Sequence, residues 1–65
     1  MDENVLKGKW KQVRGSVKKQ WGKLTDDQLD QIEGDRDKLV GKLQEEYGYS
    51  KQEAEQQVDQ FLREQ

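Results

Sequence analysis

The sequence predicts an all-α fold, in which four short helices form two helical hairpins packed on each other as a small helical bundle. Its apolar residues recur mainly three or four positions apart, which places them on one face of a helix, and they nowhere alternate as in a half-buried strand. Proline is absent. Helix-starting motifs and glycines suited to helix ends divide the chain into four segments. We expect residues 1–65 to form a single domain.

One apolar stripe defines the first predicted helix. Its members stand at i, i+4, i+7, i+11 and i+15: Leu6, Trp10, Val13, Val17 and Trp21. These positions lie on one narrow helix face, so both tryptophans are expected in the core. Asp2, Glu3 and Asn4 offer side-chain acceptors for the helix start, and Gly22 stands where a left-handed cap would end the helix.

Gly8 and Gly15 interrupt this helix on the side away from the apolar stripe. Each is expected to cost about 1 kcal/mol relative to alanine. They are either glycines tolerated on the surface or positions where another backbone or a ligand approaches closely. We favour the first interpretation, because an isolated glycine within a helix is tolerated without a function.

The second helix is short and has clear signals at both ends. Thr25 and Gln28 form the pattern of a capping box, in which each side chain bonds the backbone N–H of the other residue. Leu29 and Ile32 share one face of this helix, and Gly34 is expected to end it.

The third and fourth helices complete the second hairpin. Asp35 is suited to begin the third helix and Gly48 to end it, while Ser50 and Glu53 form the pattern of a second capping box. The predicted buried face of the third helix consists of Leu39, Val40, Leu43 and Tyr47. That of the fourth consists of Ala54, Val58, Phe61 and Leu62.

The segments joining the helices of each hairpin resemble each other. Residues 21–25 and 47–50 both run from an aromatic residue to glycine, a short spacer and a hydroxyl residue that begins the next helix. Short connections of this kind favour antiparallel neighbouring helices. The repetition therefore supports two hairpins.

Composition restricts the class of protein. Charged residues make up 40% of the chain and hydrophobic ones 29%, so we expect a modestly stable domain. The first twenty residues contain no apolar run, which predicts neither a signal peptide nor a membrane span and favours the cytoplasm.

The charge is distributed unevenly along the chain. Residues 1–24 carry seven basic and two acidic side chains, whereas residues 25–65 carry five basic and twelve acidic. This asymmetry marks either a contact with an anionic partner or attraction between the two halves.

Few residues suited to catalysis or metal binding are present. Histidine and cysteine are both absent, which removes the commonest general base, the thiolate nucleophile and the usual zinc ligands. We therefore predict no enzyme, no catalytic residue, no cofactor and no small-molecule substrate. The acidic residues around the second helix lack the spacing of a calcium-binding loop, and no metal site is predicted. These residues are Asp26, Asp27, Asp30, Glu33, Asp35 and Asp37.

The strongest candidate site is a basic stripe along one edge of the first helix. It consists of Lys7, Lys11, Arg14 and Lys18, at i, i+4, i+7 and i+11. Such a row suits the phosphates of a nucleic acid or an anionic membrane surface. The alternative, which we favour, is that these side chains face the acid-rich helices or water. We expect a monomer with at most weak nucleic-acid binding and no known partner.

Several segments together carry a family resemblance. In chain order they are Lys9-Trp10-Lys11-Gln12, Trp21-Gly22-Lys23-Leu24-Thr25-Asp26-Asp27, Ile32-Glu33-Gly34, Arg36-Asp37, Leu39-Val40-Gly41-Lys42 and Tyr47-Gly48-Tyr49. With this order and spacing the chain resembles the CsbD-like family of small bacterial proteins over nearly its whole length. The resemblance implies two packed helical hairpins and an abundant cytosolic protein induced in the general stress response. It implies no biochemical activity and no catalytic residues.

Overall fold

The structure, a computed structural model, describes residues 3–64 and the side chains of residues 5–64. It contains four helices: α1 (Glu3–Gln20), α2 (Asp26–Ile32), α3 (Arg36–Tyr47) and α4 (Lys51–Arg63). α3 packs against α4 and also contacts α2 and α1. The radius of gyration of 10.4 Å is close to the value of roughly 11 Å expected for a folded chain of this length. The predicted all-α fold is confirmed.

The predicted core is confirmed except at Tyr47, which is only partly buried, and it is enlarged by one residue. All five members of the α1 stripe are buried, including Trp10 at 9% exposure and Trp21 at 2%. The Trp21 ring lies 5.2 Å from that of Phe61, which joins the end of α1 to α4. Leu24, in the turn after α1, is also buried and was not among the predicted core residues. The remaining core residues are Leu29, Ile32, Leu39, Val40, Leu43, Ala54, Val58 and Leu62.

Side-chain caps begin the last three helices. Both hydrogen bonds of the predicted capping box at Thr25 and Gln28 are present. The Asp35 carboxylate accepts the backbone N–H groups of residues 37 and 38, as expected of a residue that begins a helix. Ser50 accepts the N–H of Glu53, but the return bond of a capping box is not formed among the described residues. The second predicted capping box is therefore only half formed.

The end of α1 differs from the prediction. Within residues 3–64, positive φ angles occur only at Glu33, Gly34 and Gly48, so the left-handed cap predicted at Gly22 is wrong. The chain instead closes a turn in which the Leu24 N–H donates to the carbonyl oxygen of Trp21 at 3.1 Å. This turn buries the Leu24 side chain. The expected cap at Asp2 lies outside the described residues, as do the side chains of Glu3 and Asn4.

The corner between α2 and α3 rests directly on α1. Helix α2 ends at Ile32, and both Glu33 (φ 49°) and Gly34 (φ 82°) are left-handed. Gly34 is buried, and a Cβ atom there would lie 2.8 Å from the Cα atom of Lys7. Glu33 thus ends α2, one residue before the predicted Gly34, and Gly34 permits a close approach to the α1 backbone.

A half-buried ion-pair cluster joins α3 to α4. The Arg36 side chain is 16% exposed, and its Nη2 lies 2.9 Å from Oδ1 of Asp59. Its Nη1 lies 3.7 Å from the Glu55 carboxylate. Because the guanidinium is largely removed from water, this contact orients the second hairpin more strongly than an exposed pair would.

The outward side of α1 is open. A Cβ atom at Gly8 or Gly15 would meet nothing within 4 Å, so no other part of the described chain approaches either glycine. This agrees with the interpretation that both are surface glycines. No helix within residues 3–64 combines the length and apolar character needed to cross a membrane.

Candidate functional site

The C-terminal half of the basic stripe faces α2. Arg14 forms an ion pair with Asp30, and its Nη2 donates to the backbone carbonyl of Asp26 at 3.2 Å. Lys18 Nζ donates to Oδ1 of Asp26 at 2.7 Å. The capping box at Thr25 sets the start of α2 and thereby places both carboxylates opposite α1. These two cations are already engaged by carboxylates of the same chain.

The attraction between Asp26 and the cations of α1 lowers the pKa of the Asp26 carboxyl. The hydrogen bond from Lys18 lowers the pKa of the Asp26 carboxyl below its ordinary value, and the charges of Lys18 and Arg14 lower it further. A lowered pKa stabilises the fold above the ordinary aspartate pKa, and this contribution is lost as pH falls through the lowered value. Since the Asp26 side chain is 67% exposed, water screens most of the effect.

The N-terminal half of the stripe has a different environment. Lys7 and Lys11 are exposed, and neither forms an ion pair with the side chains of residues 5–64. Lys7 lines a depression of about 130 Å³ that also contains Glu33, Asp35 and Lys38. The four predicted residues thus share one edge of α1, but only Lys7 and Lys11 have no ion pair within residues 5–64.

Three of the six acidic residues around α2 have structural roles. Asp35 caps α3, while Asp26 and Asp30 bond the cations of α1. No group of three or more acidic side chains among the described residues is arranged to hold a metal ion.

The two connecting turns contact each other at one end of the molecule. The Lys23 N–H donates to the hydroxyl oxygen of Tyr47 at 3.2 Å, and Lys23 Nζ lies 5.0 Å from the centre of the Tyr47 ring. The Tyr47 and Tyr49 rings are stacked almost parallel, with centroids 5.4 Å apart and planes inclined by 9°. Sequence reasoning identified the similarity of the two turns but missed their contact.

The spacing of the glycines is the feature of the sequence that relates the two turns and could have indicated their contact. Gly8, Gly15 and Gly22 are seven residues apart, and so are Gly34, Gly41 and Gly48. The second set follows the first by 26 residues, the same interval that separates Trp21 from Tyr47. The interval of 26 residues thus relates α1 to α3, and the turn after α1 to the turn after α3.

Comparison with known proteins identifies the family. The model of the CsbD-like family matches residues 4–56. The chain belongs to the CsbD-like family. UPF0337 protein YjbJ of Escherichia coli strain K12 is 59% identical over 58 residues, which cover 89% of this chain and 84% of the relative. UPF0337 protein PA4738 of Pseudomonas aeruginosa is 56% identical over 61 residues, or 94% of each chain.

Membership of the CsbD-like family confirms the resemblance found in the sequence. The names of these two relatives state no activity. No solved structure matches the chain significantly. A function for this CsbD-like protein must therefore be argued from its own surface and core.

Proposed function

We propose that this CsbD-like protein is a non-enzymatic stress-response protein of the bacterial cytoplasm, a monomer that acts through its charged surface on a partner still to be identified. One observation carries the proposal: among residues 5–64, no polar or charged side chain is buried. All ionisable groups in this part of the chain are accessible from outside. Any interaction that uses them takes place at the surface of the domain.

One surface depression lacks the features of an enzyme site. A depression of about 460 Å³ is lined by Gln56, Asp59, Gln60 and Arg63, all from α4. Enzyme sites instead bring a few polar groups from several elements together in a largely apolar cleft. A groove along one helix provides neither convergence nor exclusion of water. The high proportion of charged residues suits solubility at high abundance.

The stress-response role predicts regulated abundance. We expect the level of the protein to rise several-fold when the bacterium that carries it mounts a general stress response, as the family resemblance implies. Quantitative mass spectrometry of stressed and growing cells measures this change, with ribosomal proteins as the internal reference. A level that stays constant under both conditions contradicts the proposal.

The alternative function is binding of a nucleic acid or an anionic surface by Lys7, Lys11, Arg14 and Lys18. Exposure of the first two residues favours it, and engagement of the last two by α2 opposes it. Four phosphate contacts would give log affinity for duplex DNA a slope of about −3.6 against log salt concentration. We expect no such binding from the wild-type protein.

A titration of labelled duplex DNA at about 50 and 200 mM salt separates the two functions. The test variant changes the four stripe residues to glutamine. A matched control removes the same charge elsewhere by changing Lys38, Lys42, Lys51 and Arg63 to glutamine. Salt-dependent binding that only the stripe variant loses would establish the alternative.

A further inference from the structure

The end of the molecule where the two turns meet offers accessible aromatic surface. Tyr47 and Tyr49 pack against the edge of the core and are only partly buried. Their parallel arrangement is already the stacking geometry of aromatic rings. Tyr47 is fixed by its hydroxyl bond to the Lys23 N–H, and Tyr49 stands in the turn between α3 and α4.

One lysine lies directly against this aromatic pair. Lys23 Nζ lies beside the Tyr47 ring, and Lys19 lies in the last turn of α1, four residues earlier. Residues 5–24 contain no acidic side chain. Two acidic residues precede Tyr47: Glu46 accepts a hydrogen bond from the Gln28 amide at 2.8 Å, and Glu45 pairs with Lys42 at 3.4 Å. An anionic ligand would thus approach the tyrosines along a basic segment.

We propose that this end of the domain binds single-stranded nucleic acid, with one base stacked on Tyr49 and adjacent phosphates contacted by Lys19 and Lys23. Aromatic side chains beside a positive surface are how proteins bind single strands without sequence preference. A duplex presents phosphates but keeps its base faces stacked inside, so it cannot use the tyrosines. This inference rests on the proposed function, in which the protein acts through its charged surface, and identifies single-stranded nucleic acid as the partner.

The test compares two substitutions at Tyr49. Binding of a labelled twelve-nucleotide oligouridine is measured by fluorescence anisotropy at about 50 mM salt, where phosphate contacts are strong. Tyr49→Leu removes the stacking surface and is expected to weaken affinity about 5- to 160-fold. Tyr49→Phe keeps the ring and is expected to bind as the wild type does. Thermal unfolding of each variant establishes that all are folded under the conditions of the titration.

The lysines are tested through the salt dependence. Lys19→Gln and Lys23→Gln should each reduce the magnitude of the slope of log affinity against log salt by about 0.7, the value for one phosphate contact on a single strand. Lys38→Gln is the control and should leave the slope unchanged, because this exposed residue of α3 lies nine residues before Tyr47.

Four results would overturn this inference: no binding by the wild type at low salt, equal affinity for a blunt duplex, unchanged affinity in Tyr49→Leu, or binding only to vesicles of anionic lipid. None of them alters the expected rise in protein level under stress. Failure of the binding site is therefore distinguishable from failure of the proposed function.

Discussion

Leu43→Ala is expected to reduce the free energy of unfolding by about 2–5 kcal/mol. Leu43 has no exposed surface and belongs to the single apolar core of the domain. Truncation removes buried apolar area and leaves a cavity that the surrounding helices fill only partly. A domain of this length is typically stable by about 3–10 kcal/mol, so the substitution removes a large fraction of the total. Urea unfolding followed by tryptophan fluorescence measures the loss, because both tryptophans are buried in the folded state.

Two further variants make this test decisive. Lys38→Ala, at an exposed position of the same helix, replaces one good helix former by another and should change stability by less than about 0.5 kcal/mol. Leu43→Met nearly conserves volume and should cost less than about 1.5 kcal/mol, which keeps the site measurable if the alanine variant does not fold. A loss below about 1 kcal/mol in a folded Leu43→Ala would mean that this side chain contributes little to the core.

Local signals were sufficient to predict the helices. The positions of Leu6, Trp10 and Val13 determine a buried face by geometry alone, since residues three and four apart share one side of a helix. The caps at Thr25 and Asp35 were predictable for the same reason, because each bond spans only two or three residues. Ser50 shows the limit: a motif of two residues predicts that both bonds can form, but only one does.

Contacts between distant segments could not be predicted from the chain. We favoured a basic stripe that faces the acidic helices or water, but helical spacing alone does not tell which of its residues are paired and with which carboxylates. The structure places α2 beside that edge, which pairs both cations with Asp26 and Asp30. The contact of Lys23 with Tyr47 likewise spans 24 residues and depends on how the two hairpins pack. Packing therefore decides which part of the charged surface is available to a partner.

Two constraints act on Gly34: its backbone is left-handed, and it packs closely against α1. Gly34→Ala is expected to reduce the free energy of unfolding by about 2–5 kcal/mol, as the sum of two costs. A left-handed backbone costs a residue with a Cβ atom roughly 1–2 kcal/mol, and overpacking costs roughly 1–3 kcal/mol more. The new Cβ atom would lie 2.8 Å from Lys7 Cα and 3.1 Å from Trp10 Cβ. Since the first of these atoms is backbone, relief requires α1 to move.

Alanine substitutions at two other glycines distinguish the conformational cost from the packing cost. Gly48 is also left-handed, at φ 70°, but a Cβ atom there meets nothing within 4 Å, so Gly48→Ala should show the conformational cost of about 1–2 kcal/mol alone. Gly15 lies within α1 and is equally open, so Gly15→Ala should raise stability by about 0.5–1 kcal/mol. Urea unfolding of the three variants under one set of conditions gives the comparison. If Gly34→Ala cost no more than Gly48→Ala, the close approach between the α2–α3 corner and α1 would not constrain the fold.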